Sequence, residues 1–288
     1  MANFSGDVSL GARFNPVILS AGAGRMVDQV WPDPLQAVST ASAVTQCRNR
    51  LLNVQMAMAT GGFGGGGATV NLLGTNVYGQ FAARLAGGGA DGVGQLVRFN
   101  LPAAPVFQVQ GRSTLSVPSS DYQPFACFRV YAVYAYANAV IGSAVADSGL
   151  ELTANGGLIQ SQSAKGIGFG RSATGVIQAR SQTIGGGASS NVAVTGAGTT
   201  FPAFNDTLMT AYEVQGISAT TTAEARINWL INGRLVRTAL YGAGTILPTF
   251  SPNADYCWTC LIANVANSVN LDITQFHVIQ APTIQDCY

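Results

Sequence analysis

The chain has 288 residues and very little charge: 14 Lys and Arg, 13 Asp and Glu, and a formal net charge of +1. Charged residues make up 9% of it, against about 25% in an average globular protein. With 48% hydrophobic residues, the chain is not intrinsically disordered, because disorder requires low hydrophobicity and high net charge. Near-zero net charge and a single lysine, Lys165, exclude a basic nucleic-acid-binding surface. We expect copies or partners to cover a surface this poor in charge.

The N-terminus and the cysteines predict an intracellular, thiol-containing protein. The first ten residues lack an apolar core behind basic residues, so we expect no secretory signal. The uncharged stretch 130–146 is short for a bilayer-spanning helix and is rich in Tyr and Val like a strand, so we expect no membrane insertion. Five dispersed cysteines predict reduced, buried thiols rather than a disulfide framework: Cys47, Cys127, Cys257, Cys260 and Cys287.

One long helix is predicted in the first part of the chain, after an extended or irregular segment over residues 1–32. Asp33 is suited to an N-cap, and Pro34 occupies the first helical position. From Leu35 to about Ala59 there is neither Gly nor Pro, and apolar residues recur at three-, four- and seven-residue intervals. Gly61 and the glycine that follows it would end this helix.

Glycine-rich segments come next, and they predict linkers and turns rather than phosphate loops. The clusters 61–67 and 87–89 are interpreted as flexible linkers, with hinges or close-packing turns as the alternatives. Neither cluster is followed by Lys and Ser/Thr as a phosphate-binding loop requires. The glycines at 166, 168 and 170 miss the dinucleotide-binding spacing and are interpreted as a β-turn.

From about Ser119 the pattern becomes that of short strands separated by turn residues, which predicts a mainly β sandwich or barrel. No segment with helical periodicity interrupts it, so a parallel βαβ architecture is not expected. The predicted strands cover residues 125–138, 149–153, 158–162, 175–184, 190–195, 207–218, 223–231, 234–241, 256–263 and 270–280.

The clearest local signal is Asn232-Gly233, flanked by two alternating segments. Asn-Gly between strands is typical of a type I′ hairpin, in which both central residues have positive φ. Trp229 is predicted to lie in the core on the inward face. A two-residue loop predicts the cross-strand pairs Ile231–Arg234, Leu230–Leu235, Trp229–Val236, Asn228–Arg237, Ile227–Thr238, Arg226–Ala239, Ala225–Leu240 and Glu224–Tyr241.

No catalytic, metal or cofactor site is predicted. Cys257 and Cys260 have a redox-like spacing, but residues i and i+3 of a strand point to opposite faces, so we interpret them as structural thiols. His277 lies in a strand-like segment without a nucleophile elbow and is expected to be a hydrogen-bonded sheet histidine. The carboxylates have no local spacing that suits glycoside hydrolysis.

Two aromatic residues are the candidate ligand contacts. Tyr241 and Trp258 flank a loop and could stack on a sugar ring, although loop-anchoring aromatics are the commoner case.

The hairpin segment EARINWLINGRLVRTALYGAGTILPTFSP, continued by LDITQFHVIQ, resembles the carboxy-terminal jelly-roll modules of tailed-bacteriophage virion proteins. DSGLELTANG would form an opening strand of the same concanavalin-like module. The resemblance covers about residues 119–283 and carries no catalytic residue.

The resemblance implies a mainly β fold, an antiparallel jelly-roll sandwich that follows the Gly-rich N-terminal region with its one helix. It also implies a non-enzymatic virion protein, made in the host cytoplasm and released by lysis. We expect an attachment region over residues 1–118 and a projecting jelly roll over 119–288. A capsid decoration or cement protein is favoured, and the alternative is a tail-associated receptor- or carbohydrate-binding module. The expected partners are other copies of the chain, as a homotrimer, other virion proteins and a surface glycan.

Overall fold

The structure is a computed structural model built of β-strands. It describes residues 27–31, 46–49, 54–57, 59–63, 71–73, 82–86, 93–100, 127–139, 147–154, 166–172, 174–182, 189–196, 199, 205–217, 226–240, 256–264 and 269–281.

Seventeen strands account for most of the described residues, and no helix occurs among them. In chain order they are β1 (Val27–Trp31), β2 (Gln46–Asn49), β3 (Val54–Ala57), β4 (Ala59–Phe63), β5 (Asn71–Leu73), β6 (Ala82–Ala86), β7 (Val93–Asn100), β8 (Cys127–Ala137), β9 (Asp147–Ala154), β10 (Gly166–Arg171), β11 (Ile177–Gln182), β12 (Ser189–Ala193), β13 (Thr210–Ile217), β14 (Arg226–Ile231), β15 (Arg234–Leu240), β16 (Tyr256–Asn264) and β17 (Asn270–Ala281).

Two antiparallel sheets contain all of these strands. Sheet A has the order β15-β14-β13-β8-β17-β1-β2-β3, with β6 on the first residues of β17 and β5 on β6. Sheet B has the order β12-β11-β10-β9-β16-β7-β4. The prediction of a mainly β, antiparallel jelly-roll sandwich is therefore confirmed.

The core lies between the sheets and follows the alternation of side chains along each strand. Sheet A contributes Val130, Val214 and Trp229, and sheet B contributes Ile167 and Phe169, all of them fully or almost fully buried. Tyr212 of sheet A meets Phe169 of sheet B in an edge-to-face ring contact with 5.4 Å between centroids. Such contacts add to the burial of apolar area that stabilises the sandwich.

The predicted helix between Leu35 and Ala59 is wrong wherever the structure describes that segment, because residues 46–49, 54–57 and 59 lie in β2, β3 and β4. Residues 35–45 lie outside the described part. From Val54 onward the large apolar residues alternate with Gln or Ala, which is the period of a strand rather than of a helix. Pairing of β2 with β3 and of β4 with β7 overrides the weak helical periodicity.

Two interpretations of the glycine-rich segments also require correction. Gly61 and Gly62 lie inside β4, paired with Leu96 and Gln95 of β7, so this part of the first cluster is not a linker. The segment 166–170 is not a turn, since it forms most of β10, where glycines alternate with Ile167 and Phe169. The glycines are on the face turned away from the core, and the large side chains point inward.

Both sheets combine strands from before and after residue 118. In sheet A, β1 pairs with β17, and in sheet B, β7 pairs with β16. The division into residues 1–118 and 119–288 stays a prediction. Within the described residues, no helix is long and apolar enough to cross a membrane.

The hairpin of β14 and β15 forms as predicted at its tip but not along its length. Asn232 and Gly233 have φ values of 50° and 75°, as a type I′ turn requires. The pairs Ile231–Arg234 and Leu230–Leu235 are present. A bulge beyond Leu230 then shifts the register by one, which leaves Val236 as the extra residue. The pairs are therefore Trp229–Arg237, Asn228–Thr238, Ile227–Ala239 and Arg226–Leu240, and the predicted pairs for these positions are wrong.

Candidate functional site

The two predicted ligand aromatics cannot be assigned a common site. Tyr241 lies outside the described residues, and so does the loop that follows it. The backbone of Trp258 is in β16, opposite Leu152 of β9 and Phe99 of β7, while its ring is not among the described side chains. A sugar contact through Tyr241 and Trp258 stays a prediction.

Trp229 is buried as predicted, and it joins the two sheets. Its indole Nε1 donates a 2.8 Å hydrogen bond to the carbonyl oxygen of Gly168 in sheet B. The guanidinium of Arg237 lies over the indole ring, 4.5 Å from the centroid, and donates to the carbonyl oxygen of Ala179 and the hydroxyl of Ser190. Partial burial lowers the pKa of this guanidinium from its ordinary value. Arg237 therefore fastens β15, the terminal strand of sheet A, to β12 and β11, the terminal strand of sheet B and its neighbour.

Asn232 holds the hairpin tip against the neighbouring strand. Its backbone N–H donates to the carbonyl oxygen of Ala211 at 2.8 Å, and its side-chain oxygen accepts from the N–H of Ala211 at 2.9 Å. These two hydrogen bonds extend the β13–β14 pairing by one position, Ala211–Asn232, in which the Asn232 side chain takes the place of a backbone acceptor. Gly233 has open space around its Cα, so the turn requires glycine there for its backbone angle rather than for close packing.

Cys260 is a buried free thiol within the sandwich, opposite Leu150 of β9. Burial raises the pKa of this thiol well above its ordinary value, and the nearby Glu151 adds to the shift. Such a thiol has low thiolate content and reacts slowly. No cluster of three or more His, Cys, Asp or Glu residues is present in the part of the chain that the structure describes.

A mainly polar surface lies on the outer side of sheet A, and we call it the polar face. It crosses β14, β13, β8 and β17, where alternate residues point away from the core. Cross-strand pairing places Gln215 beside Asn228 and Arg129, and Tyr131 beside Glu213 and His277. The polar members of this face are Asn228, Gln215, Glu213, Arg129, Tyr131, Gln275 and His277. The half-buried apolar residues Leu230, Val133 and Ile279 lie among them on the same side of the sheet.

A bulge in β17 brings Gln275 and His277 to this face. Before the bulge, Leu271 and Ile273 point into the core; after it, Phe276 and Val278 do so. Uninterrupted alternation from Leu271 would have turned residues 275 and 277 inward. The extra residue, Thr274, donates its hydroxyl to the carbonyl oxygen of Val133. Bulges commonly re-aim side chains in this way beside functional sites.

Hydrogen bonds and one ion pair hold the polar face in a single arrangement. Arg129 Nε lies 2.5 Å from Glu213 Oε1, and Gln215 Nε2 donates to the same carboxylate oxygen at 2.7 Å. Gln275 Nε2 donates to the Tyr131 hydroxyl at 2.7 Å, and the imidazole of His277 meets the Tyr131 ring edge-on with 5.1 Å between centroids. His277 thus lies in a sheet strand, as predicted, while the hydrogen bond expected of it stays a prediction.

Most of the polar face is accessible without any backbone movement. Asn228, Gln215, Tyr131 and Gln275 are half-buried, and the Arg129 side chain is 36% exposed. His277 and Glu213 lie beneath them, almost fully buried. The arrangement provides ordered amide, hydroxyl and guanidinium groups, suited to hydrogen bonding with a polar ligand.

The sequence analysis did not find this surface. Arg129 and Glu213 are 84 residues apart, and Tyr131 and Gln275 are 144 apart, so no local motif joins them. The available signal was alternation: the polar residues of β8 and β13 occupy every second position. Glu213 has no second acid close to it in sequence, and its partner is an arginine on the adjacent strand.

A second notable surface is the open edge, formed by the terminal strands β15 and β12. Large apolar side chains that are exposed in the described residues include Leu235 at 53%, Val192 at 41% and Leu240 at 36%, all on these two strands. Leu208, at 60%, lies in the loop before β13. The open edge therefore combines exposed apolar side chains with a strand that has no further described neighbour in its sheet.

The fold and the two surfaces define an antiparallel β-sandwich protein. No known protein family and no curated protein matches the chain. The chain is similar to the binding domain of botulinum neurotoxin serotype D/C VPI 5993, with 11% identity over 86% of this chain and 50% of that chain and a TM-score of 0.45. It is similar to an alginate lyase Aly36B mutant in complex with alginate trisaccharide, with 9% identity over 85% of this chain and 99% of that chain and a TM-score of 0.45. It is also similar to alginate lyase vAL-1 from Chlorella virus, with 12% identity over 73% of this chain and 88% of that chain and a TM-score of 0.43.

These likenesses concern the fold. The ligands named for those structures, such as the ganglioside molecules of botulinum neurotoxin type C, belong to those proteins. The chain covers 47% and 48% of two of the neurotoxin structures, so it spans about half of their length.

Proposed function

We propose that the chain is a non-enzymatic structural protein of a tailed-bacteriophage virion, acting as a capsid decoration or cement protein that assembles with copies of itself. The observation that carries this proposal is the open edge, where exposed Leu235, Leu240 and Val192 lie on the two terminal strands. Exposed apolar side chains on neighbouring elements are typical of protein–protein contact surfaces.

The ion pairs formed by the described residues agree with a structural role. Arg84 binds Asp272 through two 2.7 Å hydrogen bonds, Arg129 binds Glu213, and Arg171 binds Asp206. Each pair fastens one segment of the sandwich to another. In a chain with only 27 formally charged side chains, this leaves few charges to keep a free monomer soluble.

The segment with the phage resemblance builds this same edge. Residues 224–252 include β14 and β15, and residues 271–280 form most of β17. The homotrimer rests on that resemblance alone, and the attachment role of residues 1–118, which the resemblance does not cover, rests on composition. The alternative, a tail-associated receptor- or carbohydrate-binding module acting through Tyr241 and Trp258, stays a prediction.

The test compares the full chain with a double variant of the open edge. Leu235→Asp with Leu240→Asp should shift a homo-oligomer toward the monomer in sedimentation velocity and weaken binding to phage shells that lack the protein. Leu208→Asp is the matched control, because it adds a charge at an equally exposed leucine outside the edge strands. An unchanged sedimentation coefficient and shell affinity in the double variant, or a wild-type chain that stays monomeric and binds no shell, would contradict the proposal.

A further inference from the structure

We propose that the polar face of sheet A is a binding site for an uncharged oligosaccharide, with Tyr131, Gln275, Gln215 and Asn228 as its contact residues. This inference goes beyond the virion role and does not depend on it. It also places the ligand away from Tyr241 and Trp258.

The hydrogen-bonding groups of the polar face match those of a sugar. A side-chain amide has two N–H donors and a carbonyl oxygen, so it matches a sugar hydroxyl, which both donates and accepts. Gln275 uses one N–H on Tyr131, and Gln215 uses one on Glu213. Asn228 accepts from the hydroxyl of Thr238 through Oδ1 and keeps its NH₂ group. These bonds orient the amides while leaving donor and acceptor capacity for a ligand.

The charged groups of the polar face favour an uncharged ligand. Arg129 of β8 is paired with Glu213 of β13 at 2.5 Å. Asp272, which lies on the same side of sheet A in β17, is paired with Arg84 at 2.7 Å. The described part of the face therefore has ionic groups of both signs that offset each other. A ligand with a net charge would have to disrupt an ion pair to gain a partner, whereas an uncharged ligand binds without this cost.

The shape and the rigidity of the polar face suit a short oligosaccharide. The row Asn228–Gln215–Arg129 crosses three adjacent strands, and Ile279 of β17 is the fourth member of this row, while Gln275 lies two pair positions further along β17. Strands lie about 4.8 Å apart, so three spacings give a row of roughly 14 Å, long enough for a short oligosaccharide. The Tyr131 ring, fixed by Gln275 and His277, adds an aromatic surface for a sugar ring. Because sheet strands position these groups, little ordering is needed on binding.

The experiment uses the full chain and defined probes. Maltotriose, cellotriose and chitotriose are the uncharged trisaccharides, and trigalacturonate is the charged one. Each is titrated by saturation-transfer NMR and calorimetry against wild-type protein and the variants Tyr131→Phe, Gln275→Ala and Asn228→Ala. Asn191→Ala is the matched control, because this exposed asparagine lies on β12 of the other sheet.

We expect at least one uncharged trisaccharide to bind, with trigalacturonate binding more weakly. Tyr131→Phe and Gln275→Ala should each weaken binding by roughly fivefold to tenfold, the effect of losing one hydrogen bond, and Asn191→Ala should leave it unchanged. Thermal unfolding of each variant verifies that it is folded, and Tyr131→Phe keeps the ring, so a loss of binding reports the hydroxyl.

Three results would overturn the inference. These are no uncharged trisaccharide bound at millimolar concentration, tighter binding of trigalacturonate, or equal affinity in wild type, Tyr131→Phe and Gln275→Ala. None of them affects the assembly proposal, whose readout is sedimentation and shell binding of variants at the open edge.

Discussion

Trp229 combines three interactions in one side chain: full burial, a hydrogen bond to sheet B, and a cationic guanidinium over its ring. Arg237, paired with Trp229 on the adjacent strand, adds two hydrogen bonds of its own to sheet B. The contact between the two sheets near this edge therefore depends on these polar interactions as well as on the buried apolar area of Trp229.

We predict that Trp229→Ala lowers the free energy of unfolding by about 3–5 kcal/mol, the usual cost of removing a large buried aromatic residue. It also leaves the carbonyl oxygen of Gly168 without this donor. Urea denaturation measures the effect, with Leu208→Ala at an exposed position outside the open edge as the control, expected within about 0.5 kcal/mol of wild type. A stability of Trp229→Ala equal to wild type would mean that β14 does not face the core.

Two glycines make different demands, and this difference can be measured. At Gly168 a methyl group would overlap the carbonyl oxygen of Leu150 on the adjacent strand, while at Gly233 it would meet nothing within 4 Å. We predict that Gly233→Ala costs only about 1 kcal/mol, from its positive φ, whereas Gly168→Ala prevents a stable sheet B. Unfolding midpoints, or soluble yield for the second variant, decide it. Similar costs at both positions would be the contrary outcome.

At the scale of elements, Arg237 joins β15 to β11 and β12 across the open edge. We predict that Arg237→Ala raises amide hydrogen exchange in β12 and β15 while leaving β8 and β17 protected, because the latter strands have neighbours on both sides. Arg237→Lys should restore little, since an ammonium group does not reproduce the two directed bonds of the planar guanidinium. The prediction fails if exchange increases equally across sheet A.

The hairpin element also shows how far local sequence determines structure here. Asn232-Gly233 predicted the turn and the inward direction of Trp229, because turn type depends on two residues. The bulge at Val236 was not predictable, because it depends on the fit of Arg237 over Trp229 and its reach to sheet B. The strands β2 and β3 were missed since helical and strand periods coexist in that segment, and long-range pairing selected the second. The polar face was missed for the same physical reason, as its members come from four separate strands.

At the scale of the whole molecule, several ionisable groups lie buried in their uncharged forms. Burial raises the pKa of Tyr136 to about 12 and raises the pKa values of Tyr134, Tyr212 and Cys260 well above their ordinary values. In the unfolded chain these groups lose protons from about pH 9 for the thiol and about pH 10 for the phenols. Above these values the unfolded state binds fewer protons than the native state, so stability falls as pH rises.

We predict that the free energy of unfolding is insensitive to these groups below about pH 8 and falls above about pH 9–10, by on the order of 1 kcal/mol per pH unit for each group. Urea denaturation across this range measures the slope. Tyr136→Phe should remove its share of the loss between about pH 10 and the folded-state value of about 12. A slope that is identical in wild type and Tyr136→Phe would indicate that this phenol is not buried.

The position of β17 within sheet A has a consequence for how the chain is made. This strand lies between β8 and β1, yet it is translated after both, and Val27 pairs with Gln280. A nascent chain therefore exposes the unpaired edges of β1 and β8 until β17 leaves the ribosome. Contacts between residues so distant in sequence slow folding and prolong exposure of aggregation-prone edges. Sheet A is thus completed by insertion of a late strand at its centre, after translation has passed nearly the whole of the chain described.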